Sequence, residues 1–338
     1  MYIMLNCILV MVYVMKSLTT VFFLLISTSA FANSELRAAA ENLDRLHNLV
    51  VMKSGDIIIE ESVRGPNVYE ASNIKSLSKS VQALLVGIAI DKGYIESVDQ
   101  KAVELLGSYL PDDYDPAFAE VSIGNLLSMQ SGLERTSGAN YGIWVNSANW
   151  TQYALTRPMI AEPGTRMLYS TGNSHILAAI LTEQTGKSLL QITREWVGQP
   201  LNIRIHPWLR SPEGVYFGGN EMYLSTRALV YIGEVYRNQG VVNDQRLVSS
   251  SWVEQSFTPR TRSVYTDDPY GYGWFLYSFD GVQAYYGRGY GGQVLYVIPE
   301  LELSIAITSD PTPPSRGIYL QQLHKFVSDY VLDAVAAI

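Results

Sequence analysis

The run Ala83 to Ile90, Ala-Leu-Leu-Val-Gly-Ile-Ala-Ile, constrains this chain more than any other stretch. It has no polar face, and a helix that is apolar all round belongs inside a protein, so other layers must cover it on every side. Directly before it stands the polar segment Asn73-Ile74-Lys75-Ser76-Leu77-Ser78-Lys79-Ser80-Val81. Ser76 and Lys79 are three apart, as S-x-x-K, which puts hydroxyl and amine on one helical face about a turn apart. A serine becomes a useful nucleophile when a neighbouring base takes its proton. A lysine can be that base only if burial or another cation lowers its pKa. The apolar run supplies the burial, and the helix N-terminus offers free N–H groups and a positive field suited to a developing oxyanion. Ser72-Asn73-Ile74-Lys75 fits the same spacing, and for either match a serine N-cap with a solvated lysine is the plain alternative. Position favours Ser76, because Lys79 leads straight into the apolar run.

The first thirty-two residues read as a targeting segment rather than as fold. Lys16, the apolar run Val21 to Ile26 and Ala30-Phe31-Ala32 form the basic, apolar and A-x-A parts of a secretory signal. Cleavage after Ala32 would leave Asn33 first and give a secreted or periplasmic protein with no stable membrane insertion. The preceding run, Tyr2 to Val14, is too short to span a bilayer. Met15 is then the alternative start, and a retained membrane anchor the lesser alternative. The only cysteine, Cys7, falls in the removed part, so the mature chain is expected to have neither disulfide nor thiol chemistry. A formal net charge of −8 argues against a nucleic-acid or anionic-membrane partner. His47, His175, His206 and His324 show no H-x-x-x-H or His/Asp pairing, which leaves a zinc site or a histidine-based triad little support. Each is read as a surface or locally bonded histidine, and no metal or cofactor is expected. The α/β-hydrolase elbow, G-x-S-x-G, is absent.

Periodicity gives the coarse organisation. Ser34 to Leu46 reads as an amphipathic helix, and His47 to Lys53 with Ile57 to Val63 as a hairpin turned at Ser54-Gly55-Asp56. Gly93 is placed to end the helix after Ser76. Helices are expected at Ile123 to Met129, Trp150 to Thr156, Ser174 to Thr185, Leu189 to Val197 and Ser225 to Arg237. Strands follow at Tyr272 to Ser278, Val282 to Tyr286, Gln293 to Ile298 and Leu303 to Ser309. A last helix over about 317–336 carries Leu320, Leu323, Val327, Val331 and Ala334 on one stripe. Strands at both ends with helices between predict an α+β fold: one antiparallel sheet built from both termini and flanked by helices. A mainly helical subdomain over about 100–215 would be inserted in it, with a cleft where the two meet.

Two further stretches give Ser76 its meaning. Pro163-Gly164-Thr165-Arg166-Met167-Leu168-Tyr169-Ser170-Thr171-Gly172-Asn173 precedes one expected helix. Tyr286-Gly287-Arg288-Gly289-Tyr290-Gly291-Gly292-Gln293 runs into an expected strand. With Ser76-Leu77-Ser78-Lys79, and in that order, they resemble the serine hydrolases related to class C β-lactamases. That family includes esterases, D-amino-acid peptidases and 6-aminohexanoate-dimer hydrolases. Leu126 to Leu133 and Tyr270 to Trp274 extend the likeness over nearly all of residues 45–310.

The resemblance implies the β-lactamase/transpeptidase-like α/β sandwich, with residues 33–338 as a single catalytic domain. It implies Ser76 as nucleophile, with Lys79 and Tyr169 as the activating pair, one or both taking the serine proton. Gly289, Tyr290 and Gly291 would supply an oxyanion N–H beside that of Ser76. Tyr141 and Trp144, with Trp150, fall where the family has its substrate-lining loop, though aromatics at such spacing are also what a core contains. Two departures bear on the substrate. Thr171 rather than asparagine stands two after the tyrosine, with Asn173 four after, and no K-T-G is present, Arg288 being the cation nearby. Arg288 could grip a carboxylate, or point away as alternate strand residues must, leaving Gly289 to face the cleft. The expected activity is therefore hydrolysis of a small ester, amide or peptide-like substrate through an acyl-enzyme. The alternatives are a β-lactamase, a penicillin-binding or D,D-peptidase-type protein, and a peptidoglycan-binding module without turnover.

Overall fold

The computed structural model describes residues 34–312, 314–315 and 317–338, so the expected signal segment lies outside the described residues. A helix over 34–41, α1, ends well before the expected Leu46. Leu46 already pairs with Ser309 as the first residue of a strand. The strands are β1 (Leu46–Lys53), β2 (Asp56–Ser62), β3 (Ser72–Asn73), β4 (Tyr223–Leu224), β5 (Val241–Val242) and β6 (Gln245–Arg246). They continue as β7 (Thr261–Arg262), β8 (Pro269–Tyr270), β9 (Phe275–Phe279), β10 (Val282–Gly289), β11 (Gln293–Ile298) and β12 (Leu303–Ser309). Eight of them form one sheet in the order β2-β1-β12-β11-β10-β9-β8-β7. All its pairings are antiparallel, and β1 lies against β12, so the two chain ends build the sheet together as expected.

Every residue of β11 and β12 is buried, because helices cover both faces of the sheet. One core lies under α1 and the C-terminal helices α11 (Ile318–Phe326) and α12 (Leu332–Ala336), which a π-helical turn at Val327–Val331 joins. Leu323, Val327, Val331 and Ala334 of the expected stripe are buried there, with Leu320 at its edge. The other core takes α2 (Ser78–Asp91), α7 (Thr171–Thr185) and α9 (Thr226–Arg237). Helix α2 is buried from Ser78 to Ala89, and Gly93 at φ +75° closes it. Between β3 and β4 the chain is helical: α2, α3 (Ala102–Leu105), α4 (Ile123–Leu127), α5 (Tyr141–Val145), α6 (Trp150–Leu155), α7, α8 (Leu189–Thr193) and short 3-10 or π turns. Helix α10 (Ser250–Phe257) has no counterpart in the sequence reading. Strand β9 starts at Phe275, not Tyr272, because Gly273 at φ +80° turns the chain against α2. Among the described residues no helix is long and apolar enough to cross a membrane.

Candidate active site

Ser76 stands in a 3-10 turn, Lys75–Leu77, just ahead of α2. Lys75 has φ +51°, a left-handed conformation that for a non-glycine residue stores about 1–2 kcal/mol and persists only when neighbours enforce it. The neighbours are present. The Lys75 N–H donates to Asn73 Oδ1 at 3.0 Å, and its Nζ reaches Glu221 Oε1 at 2.9 Å. Asn73 Nδ2 donates to the same carboxylate, and the Ile74 N–H donates to the Met222 carbonyl at 2.9 Å. These bonds also settle the register. Ser72 is a strand residue paired with Leu224, and Lys75 is tied up by Glu221, so the upstream S-x-x-K match is structural.

Lys79 is 4 % exposed, and burial lowers its pKa to about 7. Its Nζ contacts Gly219 O at 2.8 Å, Ser76 Oγ at 3.1 Å and Thr171 Oγ1 at 3.3 Å. A carbonyl can only accept, so Gly219 always takes one N–H. When the amine is neutral and Thr171 takes the second, the lone pair is left for the Ser76 hydroxyl. Gly219 owes this place to its lack of a side chain: its φ is +67°, and a Cβ there would lie 2.8 Å from Lys79 Cγ.

Tyr169 lies on the other side of the nucleophile. Its ring centroid is 5.2 Å from Lys79 Nζ, and its hydroxyl is close enough to Ser76 for the serine to favour the phenolate. Burial raises the phenol pKa, while Ser76 and the Arg288 charge pull it partly back.

The end of β10 closes the site. A Cβ at Gly289 would meet the Ile74 carbonyl oxygen at 2.1 Å, so glycine alone lets the strand press against the Ser76 turn. Gly287 and Gly289 face that turn, and Arg288 projects from the opposite face, its guanidinium 4.6 Å from the Phe275 ring centroid. A cavity of about 460 Å³ nevertheless runs from Ser76 and Tyr169 past Arg288 and Gly289 to Tyr290 through Gly292, Val294 and Leu320. Arg288 thus leaves the Ser76 turn to Gly287 and Gly289 yet is still among the residues lining the cavity, and it makes no ion pair among the described residues. A separate groove of about 730 Å³, and one of about 800 Å³ that shares Tyr265, Arg288, Gly317 and Leu320 with this cavity, do not include Ser76.

Three expected substrate contacts fall differently. Trp144 is fully buried; its indole donates to the Trp150 carbonyl at 2.9 Å, and it packs edge-on to His175 and Phe217, so it belongs to the core with Trp150. Asn173 is buried on α7, its Oδ1 accepting from Ser131 Oγ at 3.0 Å, and is not among the residues lining the Ser76 cavity. Tyr141 is half-buried and braces the Gly219 segment through its hydroxyl, which accepts from Asn220 Nδ2 at 3.1 Å. The sequence reading missed Gly219, Glu221 and the buried His175–Glu213 pair. The double glycine in Phe217-Gly218-Gly219-Asn220 was the one signal for the first. His175 and His324, read as surface or locally bonded, are both buried and locally bonded. No cluster of metal-ligating side chains occurs among the described residues.

A large antiparallel sheet built from both ends of the chain, flanked by helices and with a buried helix led by Ser76 and Lys79, is the β-lactamase/transpeptidase-like fold. The chain belongs to the beta-lactamase family, whose model matches residues 48–325. Among solved structures it is similar to a Bacillus anthracis protein assigned as a 6-aminohexanoate-dimer hydrolase, at 19 % identity over 87 % of this chain and 80 % of that one, TM-score 0.72. It is similar to EstCE1, a hydrolase with promiscuous acyltransferase activity, at 16 % identity over 89 % and 99 %, TM-score 0.70. A penicillin-binding protein homologue from Caulobacter crescentus aligns at 15 % identity over 90 % and 98 %, TM-score 0.69. At these identities the likeness speaks for the fold. No curated protein matches the chain in sequence.

Proposed function

We propose that this chain is an exported serine hydrolase that cleaves small ester or amide bonds through an acyl-enzyme on Ser76. The observation that carries the reading is the Ser76 hydroxyl held between Lys79 Nζ, at 3.1 Å, and the Tyr169 phenol at the mouth of a cavity. Neutral Lys79 takes the Ser76 proton as Oγ bonds to the substrate carbonyl carbon. The N–H of Ser76 and an N–H from the Gly289 to Gly291 strand end receive the oxyanion. When the carbonyl re-forms, the bond to the leaving group breaks. The leaving atom takes a proton from Tyr169, which Lys79 then restores. Water repeats the sequence on the acyl-enzyme, with Lys79 again the base and Ser76 the leaving oxygen.

Tyr169, Tyr265, Tyr290, Val294 and Leu320 in the cavity wall favour a neutral, apolar acyl group. The solved structures it resembles include esterase-, amidase- and penicillin-binding-type proteins, which is compatible with either bond type. The unpaired Arg288 in the same wall favours a second reading, a substrate carrying a carboxylate, as β-lactams and D,D-peptides do. A p-nitrophenyl ester chain-length series beside nitrocefin separates these. Turnover of esters, abolished in Ser76→Ala and largely kept in Ser72→Ala along with labelling by a phosphonate probe, is the expected result. A stoichiometric burst without turnover would point to a binding module. Label on Ser72 would refute the assignment of the nucleophile.

A further inference from the structure

The mechanism uses Lys79 but leaves unexplained what fixes the Gly219 carbonyl that aims it. The answer lies under the site, in a fully buried histidine. His175, on α7, has its Nδ1 3.3 Å from the Gly218 N–H and its Nε2 3.3 Å from Glu213 Oε1. A backbone N–H can only donate, so Nδ1 must accept; the ring proton then sits on Nε2 and points at Glu213. Burial lowers the His175 pKa, with Glu213 opposing, which keeps the ring in this neutral tautomer. Burial alone would raise the Glu213 pKa. Bonds from His175, from the Thr151 N–H and Oγ1 at 2.8 Å each, and from its own backbone N–H hold it well below the usual carboxylate range instead, and the Trp150 N–H also donates to it at 3.1 Å.

Glu213 and Gly218 belong to one loop, and the ring pins it at both points. The loop packs close against α7 because it carries glycine there. A Cβ at Gly218 would lie 2.2 Å from the Ser174 carbonyl oxygen, which itself accepts from Gln82 Nε2 of α2 at 2.7 Å. Two peptides beyond the pinned N–H is the carbonyl that accepts the hydrogen bond from Lys79.

We propose that His175, oriented by Glu213, is a positioning residue: it fixes the Gly218–Gly219 turn, from the Gly218 N–H to the Gly219 carbonyl, so that Lys79 presents its lone pair to Ser76. The inference rests on the Ser76–Lys79 reading above and assigns the buried His175–Glu213 pair a purpose beyond packing. His175 touches no substrate. Trp144, Trp150 and Phe217 ring it, so it is sealed from the cavity. Among the described residues, the titratable groups around these are Tyr169 beside Lys79, Glu213 beside His175, Tyr109 near Glu213, and Tyr141 with Glu221 beside the Gly219 segment.

The test compares His175→Asn, whose amide oxygen can stand where Nδ1 stands, with His175→Leu, which cannot accept from Gly218. The readouts are ester kinetics and the titration of Lys79 followed by NMR of ε-carbon-labelled lysine, with urea melts to score folding. A carbonyl acceptor favours the ammonium, so its loss lowers the lysine midpoint further. The expected result in His175→Leu is a kcat lower by about 10- to 100-fold at little-changed KM. It comes with a Lys79 midpoint lowered by about half a unit or more. His175→Asn should recover most of both. A midpoint that stays put or rises in His175→Leu, or an Asn variant no better than Leu in folded protein, would overturn the proposal. The lysine titration needs no turnover. A shifted midpoint in a protein that hydrolyses no ester would therefore sink the functional reading and leave the positioning role standing.

Discussion

Lys79→Met should make the protein inactive and, at neutral or acid pH, more stable. In the unfolded chain the lysine holds its proton to its ordinary 10.5; in the folded protein burial releases it near 7. Below pH 7 both states are protonated, and the fold carries a buried charge at full cost. Between 7 and 10.5 the unfolded state binds more protons, so stability climbs with pH; above 10.5 the effect is gone. A separation of that size corresponds to about 5 kcal/mol at low pH, at about 1.4 kcal/mol per unit. Methionine fills a similar volume without the charge but leaves the Gly219 carbonyl without its donor, which costs about 1–3 kcal/mol. The net expectation is a gain of about 2–4 kcal/mol at pH 6 that shrinks by about 3 kcal/mol by pH 9.5. Reversible urea unfolding of both proteins at the two pH values measures it. An equal stability difference at both, or a variant weaker than the parent at pH 6, refutes the reasoning. The gain bears on function, since an active site that holds a neutral amine does so against the stability of its own fold.

Other expectations follow from single contacts. Gly219→Ala places a methyl 2.6 Å from Ser174 Cβ at a left-handed backbone position, so kcat should fall at least about 100-fold, at about 1–3 kcal/mol in stability; unaltered kcat would show that Lys79 does not depend on that carbonyl. Arg288→Ala should change kcat/KM for a neutral ester by less than about tenfold. A loss of about a hundredfold confined to carboxylate-bearing esters would establish the second reading of the substrate instead. Mass spectrometry of exported protein should find a chain beginning at Asn33 and free of thiol, whereas a mature chain retaining Cys7 would contradict processing at Ala32.

The strands Gln293–Ile298 and Leu303–Ser309 were legible to the residue, because each is a continuous apolar run bounded by turn formers and buried on both faces. Tyr272 read as strand for the same reason, since nothing local says that Gly273 reverses the chain against α2. Ser76, Lys79 and Tyr169 were legible as residue types in an ordered set of motifs, and the fold brings them together. Their supports were not. Gly219 acts through a carbonyl, and every residue has one. His175 and Glu213 meet across 38 positions with no shared motif. Trp144 and Asn173 misled for the opposite reason, as their chemistry suits a substrate pocket and only the packing reveals that they face inward.

The strand order carries a consequence for how the molecule comes into being. Strand β1 has β2 on one side and β12 on the other, and β12 ends at Ser309. Through most of synthesis β1 and β2 are an isolated hairpin with an open edge, and such a hairpin is marginal in water. The Ser76 turn is likewise exposed until β10 arrives with Gly287 and Gly289. Folding is thus deferred to the end of the chain by long-range closure, which makes it slow and leaves an aggregation-prone intermediate. The same delay keeps the polypeptide threadable while it is being made, and catalysis can begin only after the last strand has joined the first.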